Sequence, residues 1–334
     1  MNTIKAMVLA ALMLLACGGC GPNVGYVIKP VPISEALQET VIASDEGLFV
    51  SDKVLVLDVD GLLVNQREMG LFSMGDNPVS LFVEKLDKAQ ADASIKAVVV
   101  RINSPGGGVT ASDIMYRRLM DFRSARNVPV IAVIEDVGAS GGYYIACGAD
   151  RIIAHPTSVT GSIGTIVQTF SLAGAMSALR IEARAITSGP RKDMASPFKP
   201  LAPEDMAILQ GMIDEYYQRF LDVVAAGRTQ LTPEQIKPLA DGRVFTGAQA
   251  KENGLVDQLG YMGDAIAQAK AASKAARVKV VMYHRPMGYR ANAYSAAPDA
   301  PTQPQVNLVN ISMPQMLSAA QPSFLYLWTG HSYR

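Results

Sequence analysis

From residue 53 onward the chain alternates between two hydrophobic periods. KVLVLDVDG (53–61), KAVVVRINS (96–104) and VPVIAVIEDV (128–137) are β-branched runs of strand length. RIIAHP (151–156) and EARAIT (182–187) predict two further strands. Between the runs the period changes to that of a helix. PVSLFVEKLDKAQAD (78–92) starts on a proline, which the first helical turn tolerates. VTASDIMYRRLMDFRSAR (109–126) places Ile114, Met115, Leu119 and Phe122 on one face. Strands alternating with helices predict crossover units and a mostly parallel sheet. Strands that are apolar almost throughout predict a sheet covered on both faces. The later part is more helical. In PEDMAILQGMIDEYYQRFLDVVAAG (203–227), Met206, Leu209, Ile213, Tyr216, Phe220 and Val223 recur at steps of three and four. Glu204 and Asp205 occupy its first turn and Gly227 its end. TPEQ (232–235) and TGAQ (246–249) read as capping boxes.

The two ends of the chain depart from this pattern. AMVLAALMLLACGGC is an apolar run followed by small residues and cysteines, too short to span a membrane comfortably and suited to a secretory signal. LLAC, with Leu14 three residues before Cys17, resembles the bacterial lipobox, in which the cysteine is lipidated and becomes the mature N-terminus; Cys20 is the second candidate. Residues 21–51, with Pro22, Pro30 and Pro32, read as a tether and irregular structure. From about residue 284 the chain is proline-rich and poor in charge, and it closes on FLYLWTGHSYR. Most of this tail is expected to be extended or disordered, with the aromatic end docking in a groove of its own or a neighbouring subunit. The expected organisation is a lipoprotein-type signal peptide (1–16), a tether (17–51), a folded domain (52–283) and a tail (284–334).

Composition narrows the classes. Of 334 residues 49% are hydrophobic and 18% charged, which permits a sizeable core and excludes general disorder. Thirty basic residues balance thirty acidic ones with no basic run, so nucleic-acid binding has no support. Three cysteines, two of them in the leader, give no disulfide framework, and Cys147 reads as a small buried apolar residue. Nothing in the pattern calls for a metal or a cofactor.

Three glycine-rich turns follow expected strands: SPGGGVT (104–110), GASGGYY (138–144) and TGSIGT (160–165). The first matches neither a phosphate loop nor the dinucleotide fingerprint. Glycines at such turns are ordinary punctuation taken singly; together they suggest acyl transfer. Ser140 sits where a strand turns into a helix, and N–H groups freed by a glycine turn stabilise an oxyanion. A nucleophilic serine also needs a base. The chain has only His155, His284 and His331, two of them in the tail, and His155 before Pro156 reads as structural. Lys192 in TSGPRKDMASP (187–197) is the other option, against the plain alternative of a solvated surface lysine.

GASGGYYIACGADRIIAHPTSVTGSIGT together with ITSGPRKDMASP resembles the signal peptide peptidase A family of bacterial serine/lysine peptidases, and the likeness continues through DGRVFTGAQAKENGLVDQLGYMGDAI (241–266). It covers roughly residues 53–275, and several ordered motifs agree. The resemblance implies Ser140 as nucleophile, Lys192 as general base and Ser162 as the residue holding the lysine. It implies Gly107 and Gly141 as oxyanion-hole amides. The interval from Ser140 to Lys192 agrees with the shorter members. It further implies an α/β fold, a Clp protease/crotonase-like spiral of β-β-α units with a helical C-terminal part, where the strand pattern alone suggests a flatter open sheet. Peptide substrates such as signal-peptide remnants are implied, as is a homo-oligomeric ring tethered at the membrane. The lipobox-like leader, in place of a spanning helix, and the long tail depart from the family pattern. Two rival readings stand beside this one. A crotonase-like acyl-CoA enzyme would use the same turns with carboxylates such as Glu135 and Asp136, and a lipoprotein scaffold would keep the fold without activity.

Overall fold

The three largely apolar runs form the centre of a parallel sheet. A computed structural model describes residues 36–66, 76–286 and 324–329. The expectations for the signal peptide, Cys17, Cys20 and most of the tail lie outside the described residues. Strands β2 (Lys53–Leu63), β3 (Ile95–Gly108), β4 (Val130–Ala139) and β5 (Arg151–Ala154) lie side by side and parallel. Helices α1 (Pro78–Ala91) and α2 (Val109–Arg126) connect β2 to β3 and β3 to β4. Asn77 caps α1 by accepting from the N–H groups of Val79 and Ser80, and Pro78 stands in the first turn.

Successive side chains of a strand point to opposite faces, so a run apolar at every position needs two covers. The structure supplies both. Leu55, Leu57 and Val59 of β2 enter one apolar layer with Val98, Val100 and Ile102 of β3; Val54, Val56, Ala97 and Val99 enter the other. The first layer is filled by Phe82 and Leu86 of α1, Leu119 and Phe122 of α2, Tyr143 and Tyr144 of α3 (Gly141–Ala146) and Phe220 of α5 (Pro203–Gly227). Met262, Ala265 and Ala269 of α8 (Met262–Ser273) close the second.

Shorter strands extend the sheet. β6 (Val159–Gly161) pairs with the end of β4 and, antiparallel, with β8 (Val244–Thr246), while β9 (Gln258–Leu259) continues from β5. β10 (Lys279–His284) lies parallel to β2, and β1 (Gln38–Ser44) pairs antiparallel with β10, its register shifting between Val41 and Ala43. The architecture is mixed α/β around one large sheet. Both capping boxes form as expected, at Thr232 and Gln235 for α6 (Pro233–Ile236) and at Thr246 and Gln249 for α7 (Gly247–Glu252).

Some expectations require correction. Residues 38–44, expected in the tether, form β1. EARAIT (182–187) is no strand: it is exposed throughout, with no neighbouring strand to pair with among the described residues. Met206 is exposed although it sits on the apolar stripe of α5, whose buried side chains are Asp205 and Leu209 near its start and Phe220, Val223 and Val224 near its end. Among the described residues no helix is long and apolar enough to cross a membrane.

One polar cluster is built into the strands. Arg101 reaches Asp58 at 2.9 Å and Lys85 reaches it at 3.6 Å, with all three side chains buried. Burying charge is costly unless it is paired, and the Asp58 carboxylate is a shared partner of both cations.

Candidate active site

Ser140 stands between the last residue of β4 and the first of α3, with φ 52° and ψ −115°. A non-glycine residue at positive φ stores about 1–3 kcal/mol of strain and persists only where its surroundings hold it. Two backbone bonds do so here. The Ser140 N–H donates to the Gly161 carbonyl at 2.7 Å, and its carbonyl accepts from the Tyr144 N–H at 2.8 Å. The side chain is buried, and among the described residues its Oγ has no hydrogen-bond partner. A serine kept in a strained elbow with an uncommitted hydroxyl is equipped to attack a carbonyl rather than to fill a turn.

The glycine turn at the end of β3 lies against this elbow. Ser104 Oγ donates to the Gly61 carbonyl at 2.6 Å and accepts the Gly106 N–H at 3.1 Å, which fixes the turn. Gly106 has φ +100°; a methyl group there would sit 2.6 Å from the Gly141 nitrogen and run into the Tyr326 carbonyl oxygen. At Gly141 a methyl would collide with Ser112 Oγ and come within 3.1 Å of Gly106 Cα. The turns carrying Gly107 and Gly141 therefore pack backbone against backbone, an approach that leaves no room for side chains.

Ser162 is brought close by strand pairing. Ala139 faces Gly161 in the β4–β6 ladder, so Ser162 follows directly on the residue that holds the Ser140 amide. Ser162 is buried at φ 50°, and its N–H donates to the Arg243 carbonyl at 2.8 Å.

Lys192 behaves differently. It lies in a turn before α5, its side chain exposed and without a hydrogen bond or ion pair among the described residues. The shielding expected for a lysine base is thus not provided around Lys192 by the described part of one chain. The neighbouring cations are engaged: Arg191 binds the buried Asp205 at 2.7 Å, and Lys199 binds Asp193 at 2.6 Å. The Lys199 bond holds the Asp193 carboxyl below its ordinary value. These pairs shape the turn and leave Lys192 at its surface. The surrounding arm also exposes Leu179, Ile181, Ile186, Phe198, Met206 and Ile208.

The alternative acid–base groups lie elsewhere. Glu135, Asp136 and His155 line a cavity of about 350 Å³ together with Arg101, Asn103 and Tyr261. Burial raises the Glu135 carboxyl despite the nearby Arg101. His155 is engaged with Thr157 at 2.8 Å and packs edge-on against Tyr261. Cys147 is buried behind the elbow, and burial pushes its thiol up to about 12, so it is no nucleophile. Among the described residues no group of three His, Cys, Asp or Glu side chains is placed to hold a metal ion.

The sequence did not assign a role to Ser104, Ser112 or Tyr326. Its one pointer was the apolar end FLYLW. That end forms β11 (Phe324–Leu327), which lies antiparallel to the glycine turn of β3 on one side and to β7 (Ile166–Val167) on the other.

Comparison with known proteins bears on the family of the chain. Residues 123–276 match the model of peptidase family S49. The chain is 36% identical over 250 residues to a protein named putative signal peptide peptidase SppA from Enterococcus faecium, covering 75% of this chain and 71% of that one. It is 34% identical over 214 residues to a putative protease from Methanocaldococcus jannaschii, covering 64% and 68%. Protease 4 from Salmonella typhi is 36% identical over 221 residues, which amounts to 66% of this chain and 35% of that longer protein. A mixed α/β body with these relatives is a serine peptidase. The chain belongs to the signal peptide peptidase A family, peptidase family S49.

Proposed function

We propose that the chain is an endopeptidase in which Ser140 is the nucleophile and Lys192, held by Ser162, is the general base. The observation that carries this reading is the strained, buried elbow at Ser140, its Oγ uncommitted and the glycine turn of β3 packed against it. A neutral lysine amine would take the hydroxyl proton as Oγ attacks the peptide carbonyl. The N–H groups of Gly107 and Gly141 would receive the negative charge that forms on the carbonyl oxygen. Collapse would expel the amine half of the peptide, which takes the proton from the lysine; water would then hydrolyse the acyl-serine by the same route in reverse.

Lysine must be neutral to accept a proton. Its ordinary pKa is about 10.4, and burial lowers it by up to about 3–5 units. The exposed arm around Lys192 supports delivery of that lysine to the Ser140 of a neighbouring subunit, where the contact would bury both the amine and the bare apolar residues. The active form is then a homo-oligomeric ring on a Clp/crotonase-like spiral of β-β-α units. Lipidation at Cys17 would hold it at the bacterial envelope with the peptidase domain outside the cytoplasm, where it would cut signal-peptide remnants and other released peptides. The test is labelling with an acyl-serine-directed fluorophosphonate. The wild-type protein should label on one site and hydrolyse peptides, and Ser140→Ala should do neither while unfolding at the same temperature. Labelling that survives in Ser140→Ala would refute the assignment.

A further inference from the structure

Ser104 sits where the ladders on both sides of β3 slip. The register with β2 shifts between Asp60 and Leu62, and the register with β4 shifts between Ile102 and Ser104. A slipped ladder leaves backbone groups without strand partners, and where these are buried something else must pair with them. Two adjacent side chains of β3 do so. Asn103 Oδ1 accepts the Val137 N–H of β4 at 3.2 Å. On the β2 side the odd residue is Gly61, at φ 67°, and its carbonyl accepts from Ser104 Oγ at 2.6 Å. The same hydroxyl oxygen accepts the Gly106 N–H at 3.1 Å.

Ser104 is fully buried and its single proton is committed to Gly61, so it is placed to orient backbone rather than to react. Its main chain is fixed as well. It pairs with Gly138, two residues before Ser140, and a methyl at Gly142, two residues after, would come within 2.8 Å of its carbonyl oxygen. One residue thus ties together β2, the glycine turn and both flanks of the elbow. The turn needs such a tie. Gly106, Gly107 and Gly108 follow one another, and glycine is the most pliable backbone there is. Donors that stabilise an oxyanion act only if they are already aimed when the charge forms. Three glycines cannot supply that aim themselves.

We propose that Ser104 is a positioning residue for the oxyanion hole: its hydroxyl, clamped between the Gly61 carbonyl and the Gly106 N–H, aims the Gly107 amide and sets its spacing from Gly141. This rests on the peptidase reading above, in which those two amides receive the negative charge, and adds the residue on which their alignment depends. The charge is present in the transition state and not in the bound substrate, so loss of the clamp falls on kcat and leaves KM.

The experiment uses the full chain. Ser104→Ala removes the clamp, and Ser104→Thr restores a hydroxyl. Thr232→Ala, which deletes the cap of α6, controls for lost stability alone. Three quantities are read: kcat and KM on a fluorogenic peptide, inhibition by a peptide boronate, and the unfolding temperature. The boronate takes up the serine oxygen at boron, and the tetrahedral adduct presents an oxygen to the hole as the transition state does. Ser104→Ala should lose about a hundredfold in kcat, the effect of a misplaced or missing donor. Its KM should stay within about twofold of wild type, and its boronate affinity should weaken by at least about tenfold. Ser104→Thr should return to within about fivefold of wild type, the scale of one neutral hydrogen bond. Thr232→Ala should unfold at a lower temperature with kcat and boronate affinity unchanged. A folded Ser104→Ala that keeps wild-type kcat, or that loses kcat without losing boronate affinity, would overturn the proposal and leave the peptidase reading standing. So would a Ser104→Thr variant as stable as wild type that recovers nothing. If wild type neither cleaves peptides nor binds the boronate, the peptidase reading itself fails and this inference fails with it.

Discussion

The Ser140 N–H donates to the Gly161 carbonyl at 2.7 Å, and Ser162 follows at the next position. One ladder thus sets both the strain at the proposed nucleophile and the location of the residue proposed to hold its base. Ser162→Ala should leave this backbone bond intact while removing the hydroxyl. We expect a fall in kcat of about a hundredfold, within the range of a misplaced general base. Fluorophosphonate labelling and peptide turnover check this; an unchanged kcat would exclude Ser162 from holding the base.

Lys192 should act on the Ser140 of another copy. Lys192→Arg is expected to be inactive, because guanidinium stays protonated. Ser140→Ala and Lys192→Ala should each be inactive alone. Rings assembled from the two together should regain part of the activity, since some interfaces then join an intact Ser140 to an intact Lys192. A dead mixture, with mixed rings confirmed by native mass spectrometry, would mean that each chain builds its own site.

Cys17→Ser should move the protein from the membrane to the soluble fraction, because lipoprotein modification supplies more than the single acyl chain that anchors only marginally. Fractionation of cells expressing the full chain is the measurement. Retention of the variant at the membrane would shift the anchor to Cys20 or to the tail.

Asp58 holds two buried cations, Arg101 at 2.9 Å and Lys85 at 3.6 Å. Asp58→Asn removes the negative charge that both cations face and should cost about 3–5 kcal/mol in urea unfolding. The triple variant Asp58→Leu, Lys85→Met, Arg101→Met removes all the charge at once and should cost far less. Equal losses in the two variants would show that the cost is one of packing.

Asp92 sets part of the acid limit. Burial pushes its carboxyl up, but the Ser94 hydroxyl and N–H and the Lys53 ammonium outweigh it and hold the carboxyl at about 2, below the ordinary 3.8. A group depressed on folding stabilises the protein above its unfolded pKa and loses that contribution as pH falls through its folded one. The stability gap between wild type and Asp92→Asn should therefore be widest above about pH 4 and close towards about pH 2. A gap independent of pH would rule the linkage out.

What the residues revealed beforehand follows from the range of the forces involved. β2, β3 and β4 were legible because burial on both faces leaves a nearly continuous apolar run, and the caps at Thr232 and Thr246 because their partners are three residues away. β1 was missed: QETVIAS is an edge strand with most positions exposed, so it carries little hydrophobic signal. EARAIT misled for the converse reason, since it has strand-like residues but no neighbouring strand among the described residues. Ser140 was recognisable from its own glycines, whereas its tie to Gly161 depends on a ladder between distant strands. The docking of FLYL was foreseeable as a tendency of an apolar end, but its register against Gly107 was not, because pairing partners so far apart leave no local pattern.

The irregular register between Val41 and Ala43 also affects how the protein behaves at high concentration. An outermost strand exposes unsatisfied amides and carbonyls that recruit strands from other molecules. A kink in β1, with Glu39 committed to Lys53 at 2.9 Å beside it, spoils that template. This border of the sheet is thereby a poor template for runaway fibre growth.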